Sequence, residues 1–123
     1  MPVSQAQVQE FISLVEQGRF VSAMERFYAE DASMQENQAP PRIGLAKLIE
    51  HEKMVLSMFK EVRTRPAQFF VVDDNRVVIN WIFDFFTHDG KHVTFDEISV
   101  QSWENGKIKR ERFYYDPAQQ NPK

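Results

Sequence analysis

The chain has 123 residues, 42% hydrophobic and 27% charged, which suits one domain with a real core and no low-complexity tract. Its formal net charge is −3 and its one basic cluster is Lys107-Ile108-Lys109-Arg110, which argues against nucleic acid, a partner that needs a concentrated positive face. Cysteine is absent, removing disulfides, thiolate metal sites and a cysteine nucleophile, and with no leader or membrane-length apolar run in view the expected location is cytoplasmic.

Ser4 is placed to cap a first helix, in which Val8, Phe11, Ile12, Leu14 and Val15 recur at helical spacing before Gly18 ends it. A second helix over 20–28 presents Phe20, Met24, Phe27 and Tyr28, making a helical hairpin with the first. A short strand over 32–38 follows, stopped by Pro40-Pro41. The third helix, over 44–59, has the stripe Leu45, Leu48, Ile49, Glu52, Leu56 and Phe59, interrupted only by the carboxylate of Glu52. Residues 62–72 read as strand, with Pro66 marking an edge or a bulge, and Asp73-Asp74-Asn75 turns the chain into Val77. The tail 117–123 is expected to fray.

Residues 77–116 organise the rest. Asp89-Gly90 and Asn105-Gly106 divide them into a three-stranded antiparallel meander, since both dipeptides suit two-residue type I′ turns. Two such turns would pair Phe83 with Asp96 and Asp96 with Tyr115, and alternation then sorts the side chains into two faces. The face assigned to the core carries Trp81, Phe83, Phe85, Asp96, Ile98, Val100, Glu111, Phe113 and Tyr115. The opposite face carries Ile82, Asp84, Phe86, Phe95, Glu97, Trp103, Ile108, Arg110, Arg112 and Tyr114. A bulge anywhere would flip part of this assignment. With Trp103, Phe86 and Phe95 exposed together, that second face suits a homodimer interface.

The order is α-α-β-α-β-β-β-β, an α+β class. With Arg26-Phe27-Tyr28-Ala29-Glu30-Asp31-Ala32, then Pro41-Arg42-Ile43-Gly44, Trp103-Glu104-Asn105-Gly106-Lys107-Ile108 and Phe113-Tyr114-Tyr115-Asp116, the chain resembles the nuclear transport factor 2-like superfamily, SnoaL-like polyketide cyclase group. The resemblance spans the whole chain, as a single domain over 1–123. It implies a cone-shaped roll, a curved antiparallel sheet packed by three helices around an internal pocket, and homodimers through the outer sheet face. It implies no cofactor and no metal. The fold hosts unrelated activities, among them polyketide cyclases, ketosteroid isomerases, limonene epoxide hydrolase, dehydratases and non-catalytic binding domains.

Some of these chemistries lack their residues here. The ketosteroid isomerase base matches Glu36, but its oxyanion donors fall at Phe11 or Ile12 and near Ile98 or Ser99, so an enolate would have no electrostatic stabilisation of that kind. Of the limonene epoxide hydrolase triad, Asp84 matches one aspartate, whereas Ile82 and Phe113 stand at the other two places. His51, His88 and His92 do not assemble a scytalone dehydratase set.

What remains is an expected pocket with Asp96, Glu36 and Glu52 as candidate catalytic acids or bases. Tyr115, Tyr28, Trp81, Phe83, Phe113, Glu111 and His51 are its candidate substrate contacts. A carboxyl group in an apolar pocket has its pKa raised and can exchange protons near neutrality. Two functions stay open: a cofactor-free cyclase- or isomerase-type enzyme acting on a small apolar carbonyl compound, or a ligand-binding or dimerisation module without turnover. For each acid a structural role competes: Glu52 in an ion pair, Asp96 accepting from Tyr115, Glu111 as a solvated strand charge beside Lys109, Arg110 and Arg112, Glu36 as a loop cap. Acids converging unpaired on one cavity favour the enzyme; capture of each by a basic residue favours the module.

Overall fold

Ser4 opens the first helix through a reciprocal capping box: its Oγ accepts from the Gln7 N–H at 3.1 Å and the Gln7 side chain accepts from the Ser4 N–H at 2.9 Å. In the computed structural model, which describes residues 2–121, helix α1 (Gln5–Glu16) then buries Val8, Phe11, Ile12 and Val15. Gly18, at φ +78°, ends it in a Schellman motif: its N–H donates to Val15 O and that of Arg19 to Leu14 O. Helix α2 (Phe20–Phe27) packs back on α1 through Ala23, Met24 and Phe27.

The strands are β1 (Tyr28–Glu36), β2 (Arg42–Ile43), β3 (Glu61–Thr64), β4 (Phe69–Asp73), β5 (Arg76–Phe86), β6 (His92–Glu104) and β7 (Lys107–Tyr114), with helix α3 (Leu45–Ser57) between β2 and β3. They form one sheet ordered β2-β1-β7-β6-β5-β3, with β4 also on β5. The stretch read as a single strand over 62–72 is two, because the chain bows away from β5 around Pro66, and β3 and β4 share the same edge of β5. The sheet is curved, unclosed and mixed: its pairs are antiparallel except β1 with β7, which run parallel.

Two one-residue irregularities decide which way β6 faces. At the first hairpin Phe83 pairs with Phe95, not Asp96. The loop holds three residues, His88-Asp89-Gly90, because the Thr87 N–H closes on Lys91 O at 2.9 Å while only Gly90 has positive φ, +86°. At the second, Asn105 and Gly106 do form a two-residue turn with φ of +53° and +76°, but a bulge at Lys109 shifts the ladder so that Gln101 pairs with Glu111.

The two shifts add to two residues between β5 and β7, which keeps the facing of those strands, and leave β6 inverted. Trp81, Phe83, Phe85, Glu111 and Phe113 face inward as expected; on β6 the inward set is Val93, Phe95, Glu97, Ser99, Gln101 and Trp103. Three expectations are thereby corrected: Asp96, Ile98 and Val100 belong to the outer face, Glu97 and Phe95 to the inner one, and Trp103 with Ile108 to the core. Trp103 is 3% exposed and meets Phe11 and Phe27 edge-on. The apolar outer patch therefore loses Trp103 and Phe95, two of the three aromatics that suggested an interface.

Helix α3 starts at Gly44, φ +103°, whose N–H is anchored on Ala32 O. Of its expected stripe only Leu48 is buried; Leu45 and Ile49 are partly buried against the core, and Glu52 and Phe59 line a cavity. After β7 the chain does not fray at once: Pro117–Gln120 form a 3-10 turn, and Gln119 both accepts from the Asp96 N–H and donates to Asp96 O. Residues 122–123 lie outside the described segment.

Candidate active site

Between the inner sheet face and α2 and α3 lies a cavity of about 530 Å³. Phe11, Phe20, Met24 and Met34 wall one part of it, Trp81, Phe83, Phe85, Phe95 and Phe113 another, and Met54, Val55, Met58 and Phe59 of α3 and the turn after it a third. Alternation along the strands places the polar groups. On neighbouring strands Glu97 lies directly across from Trp81, Ser99 from Phe113, Gln101 from Glu111 and Glu36 from Phe113.

Glu111, 3% exposed, ends a directed chain of hydrogen bonds. An indole N–H can only donate, so Trp103 Nε1 giving its proton to Gln101 Oε1 at 2.8 Å turns the Gln101 amide nitrogen toward Glu111 Oε2, 2.7 Å away. Ser99 Oγ donates to the same oxygen at 2.6 Å, and the Tyr28 hydroxyl donates to Oε1. Burial raises the Glu111 pKa while the bonds from Gln101, Ser99 and Tyr28 oppose the rise. The Tyr28 hydroxyl is itself pushed up, first by burial and then by the Glu111 charge.

The other carboxyl groups differ in their partners. Glu36 accepts from Arg42 Nη1 at 3.2 Å. The Glu97 side chain, 8% exposed, has no hydrogen-bond partner among the described residues, and burial, reinforced by Glu111, Glu36 and Glu52, pushes its pKa up to about 8. Glu52, half-buried on α3 and likewise unpartnered among the described residues, is also raised, by burial first and then by Glu111. Tyr115 packs on Phe95, its hydroxyl pushed up to about 12 by burial and by the nearby Glu36 and Glu97. At neutral pH a carboxyl like that of Glu97 is largely protonated and can donate a proton, while a less strongly shifted neighbour can accept one. Among the described residues, no three His, Asp or Glu side chains come together to hold a metal ion.

The SnoaL-like domain family matches residues 8–111 of this chain. The chain belongs to that family. No curated protein sequence matches it. Among solved structures, this SnoaL-like domain is similar to a protein from Xanthomonas campestris provisionally assigned as a polyketide cyclase, at 19% identity and a TM-score of 0.81 over 94% of this chain and 91% of that one. A provisionally assigned SnoaL-like polyketide cyclase from Mesorhizobium loti is 24% identical, with a TM-score of 0.77 over 92% and 100% of the two chains. TerC, co-crystallised with polyporic acid, is 15% identical, with a TM-score of 0.77 over 92% and 91%. At these identities the likeness is one of fold.

Of the residues singled out in the sequence, the SnoaL-like cavity gathers Glu36, Glu52, Tyr28, Trp81, Phe83, Phe113, Glu111 and His51 on its wall, while Tyr115 is not part of the lining and packs on Phe95, which is. Asp96 is elsewhere: exposed on the outer face, it accepts from Asn80 Nδ2 at 2.8 Å. Asp84 also faces outward, held by Arg65 at 2.7 and 2.9 Å, so no epoxide hydrolase-like role in the cavity is open to it. Sequence reasoning missed Glu97, Arg42 and the Ser99-Gln101-Trp103 relay. The signal for them lay in Val93, Phe95 and Trp103, three large apolar residues on β6 that share the parity of Glu97.

Proposed function

We propose that this SnoaL-like domain is a cofactor-free enzyme that enolises, and so cyclises or isomerises, a small apolar carbonyl compound. The observation that supports it is a pair of carboxyl groups, Glu97 and Glu52, unpartnered among the described residues and set on one predominantly apolar cavity. Glu97, protonated at neutral pH, donates to the carbonyl oxygen while Glu52 removes the proton from the adjacent carbon; reversal at another carbon, or attack on a second carbonyl, completes the reaction. Glu111, saturated by neutral donors, holds the wall in place and favours the protonated form of Glu97. TerC, a fold relative crystallised with polyporic acid, supports a small organic occupant for the cavity. The Glu36–Arg42 pair is what favours the competing reading, a binding module without turnover.

The test is hydrogen–deuterium exchange at the α-carbon of 2-tetralone, followed by NMR with the full chain. Exchange well above the buffer rate, reduced about 100-fold or more in both E97Q and E52Q, is the expected result. A ketone that binds in the cavity yet exchanges no faster than in buffer removes the enzyme reading and leaves the module.

The protein is further proposed to form a homodimer in the cytoplasm through the outer sheet face. Val71, Val78 and Val100 run across that face in one row, and Phe69, Asn80, Ile98 and Tyr114 in the next, with Phe69, Val71 and Tyr114 about half exposed.

A further inference from the structure

The cavity holds more acids than its cations balance. Glu36, Glu52, Glu97 and Glu111 all reach its wall, and Arg42, the one arginine among the lining residues, is engaged by Glu36. Glu97 is more than nine-tenths buried, aimed into the cavity and without a partner among the described residues. A buried carboxyl in that state is costly unless something entering the cavity supplies its hydrogen bond. Directly across the ladder stands Trp81, buried and stacked on Phe83, and the half-buried rings of Phe83, Phe85 and Phe95 line the cavity beside it. A carboxyl group beside an aromatic face is the pair that recognises an organic cation, the ring by its quadrupole and the carboxylate by a charge-assisted hydrogen bond.

We infer that the cavity takes a ligand with a basic amine on a flat apolar body, the ammonium held by the Glu97 carboxylate and the body lying against the rings of Phe83, Phe85 and Phe95. This rests on reading the cavity as a small-molecule pocket, and because an ammonium on Glu97 takes up the carboxyl group that would protonate a carbonyl oxygen, the amine is a ligand that competes with the proposed carbonyl substrate. The groups facing Glu97 make such a cation fit and an anion a poor one: Glu111 from β7, Glu36 from β1, and Glu52 beside His51 from α3, against Arg42 alone from β2. Since Glu97 is largely protonated when the cavity holds no cation, seating an ammonium there transfers its proton to solvent.

The experiment is calorimetric titration of the full chain with three ligands that share one body: 2-aminotetralin, 2-tetralol and tetralin-2-carboxylate. The amine is expected to bind about tenfold or more tighter than the alcohol, with the carboxylate weakest. In buffers of different ionisation enthalpy at neutral pH, it should release close to one proton per amine bound. E97Q should remove the amine's advantage and the proton release, while D96N on the outer face changes neither. Equal affinities for amine and alcohol, a carboxylate that binds best through Arg42, or no binding of any of the three overturns the inference. Ketone exchange separates it from the proposed reaction: amine selectivity without exchange leaves this inference and removes the catalysis, and exchange without selectivity does the reverse.

Discussion

Trp103 sets the orientation of Gln101. Its indole N–H, buried under Phe11 and Phe27, leaves the Gln101 amide one way to face, and the amide nitrogen then reaches Glu111. A core tryptophan thus determines how a cavity carboxyl group is solvated. Trp103→Phe keeps most of the packing and deletes the donor, leaving a buried acceptor unmet. It should lower unfolding free energy by about 1–3 kcal/mol in urea titrations. A loss no larger than a few tenths would mean that the relay has no energetic role.

Glu97 should weaken the fold as pH rises. Its folded pKa, about 8, stands above the ordinary 4.5, so the native state binds the extra proton in between. The stability this lends is full below 4.5 and is lost as pH climbs toward about 8, a change on the order of a few kcal/mol. Glu97→Gln should therefore unfold at the same urea concentration as the parent at pH 4.5 and at a distinctly higher one at pH 8. Parallel pH–stability curves for the two proteins would show that Glu97 titrates normally.

Asp84 should behave in the opposite sense. The Arg65 guanidinium, with help from His92 and Thr94, holds its pKa well below the ordinary 3.8, so its contribution is present above 3.8 and lost as pH falls through the lower folded value. Asp84→Asn should cost about 1–3 kcal/mol at pH 7 and progressively less in strong acid. The comparison of denaturation midpoints at pH 7 and pH 2.5 decides it; a deficit that grows in acid contradicts the assignment.

On the proposed dimer face, Ile98 sits in a row between Asn80 and Tyr114. Ile98→Lys should convert a dimer to a monomer in sedimentation velocity at micromolar concentration, with the far-UV spectrum unchanged. A parent protein that sediments as a monomer at 100-fold higher concentration would end the dimer proposal.

The three helices, the α1 cap at Ser4, the Gly18 stop and the Asn105-Gly106 turn were legible from local chemistry, such as a side-chain acceptor beside free N–H groups or a residue that tolerates positive φ, whereas the short β2 and the division of 62–72 into β3 and β4 were not. The inward faces of β5 and β7 were legible too, since Trp81, Phe83, Phe85 and Phe113 alternate with period two. Part of the cavity wall was legible as well, including Glu36, Glu52 and Glu111. What sequence could not decide was the face of β6. Asp96 and Glu97 are adjacent acids, and a single residue in the 88–90 loop, then another in the bulge at Lys109, chooses between them. Those choices rest on contacts made only after folding, the Thr87–Lys91 closure and the burial of Trp103 against α1 and α2. A strand with apolar residues on both faces has no preferred side until its neighbours supply a core, so the tertiary structure alone put Glu97 in the cavity and Asp96 outside it.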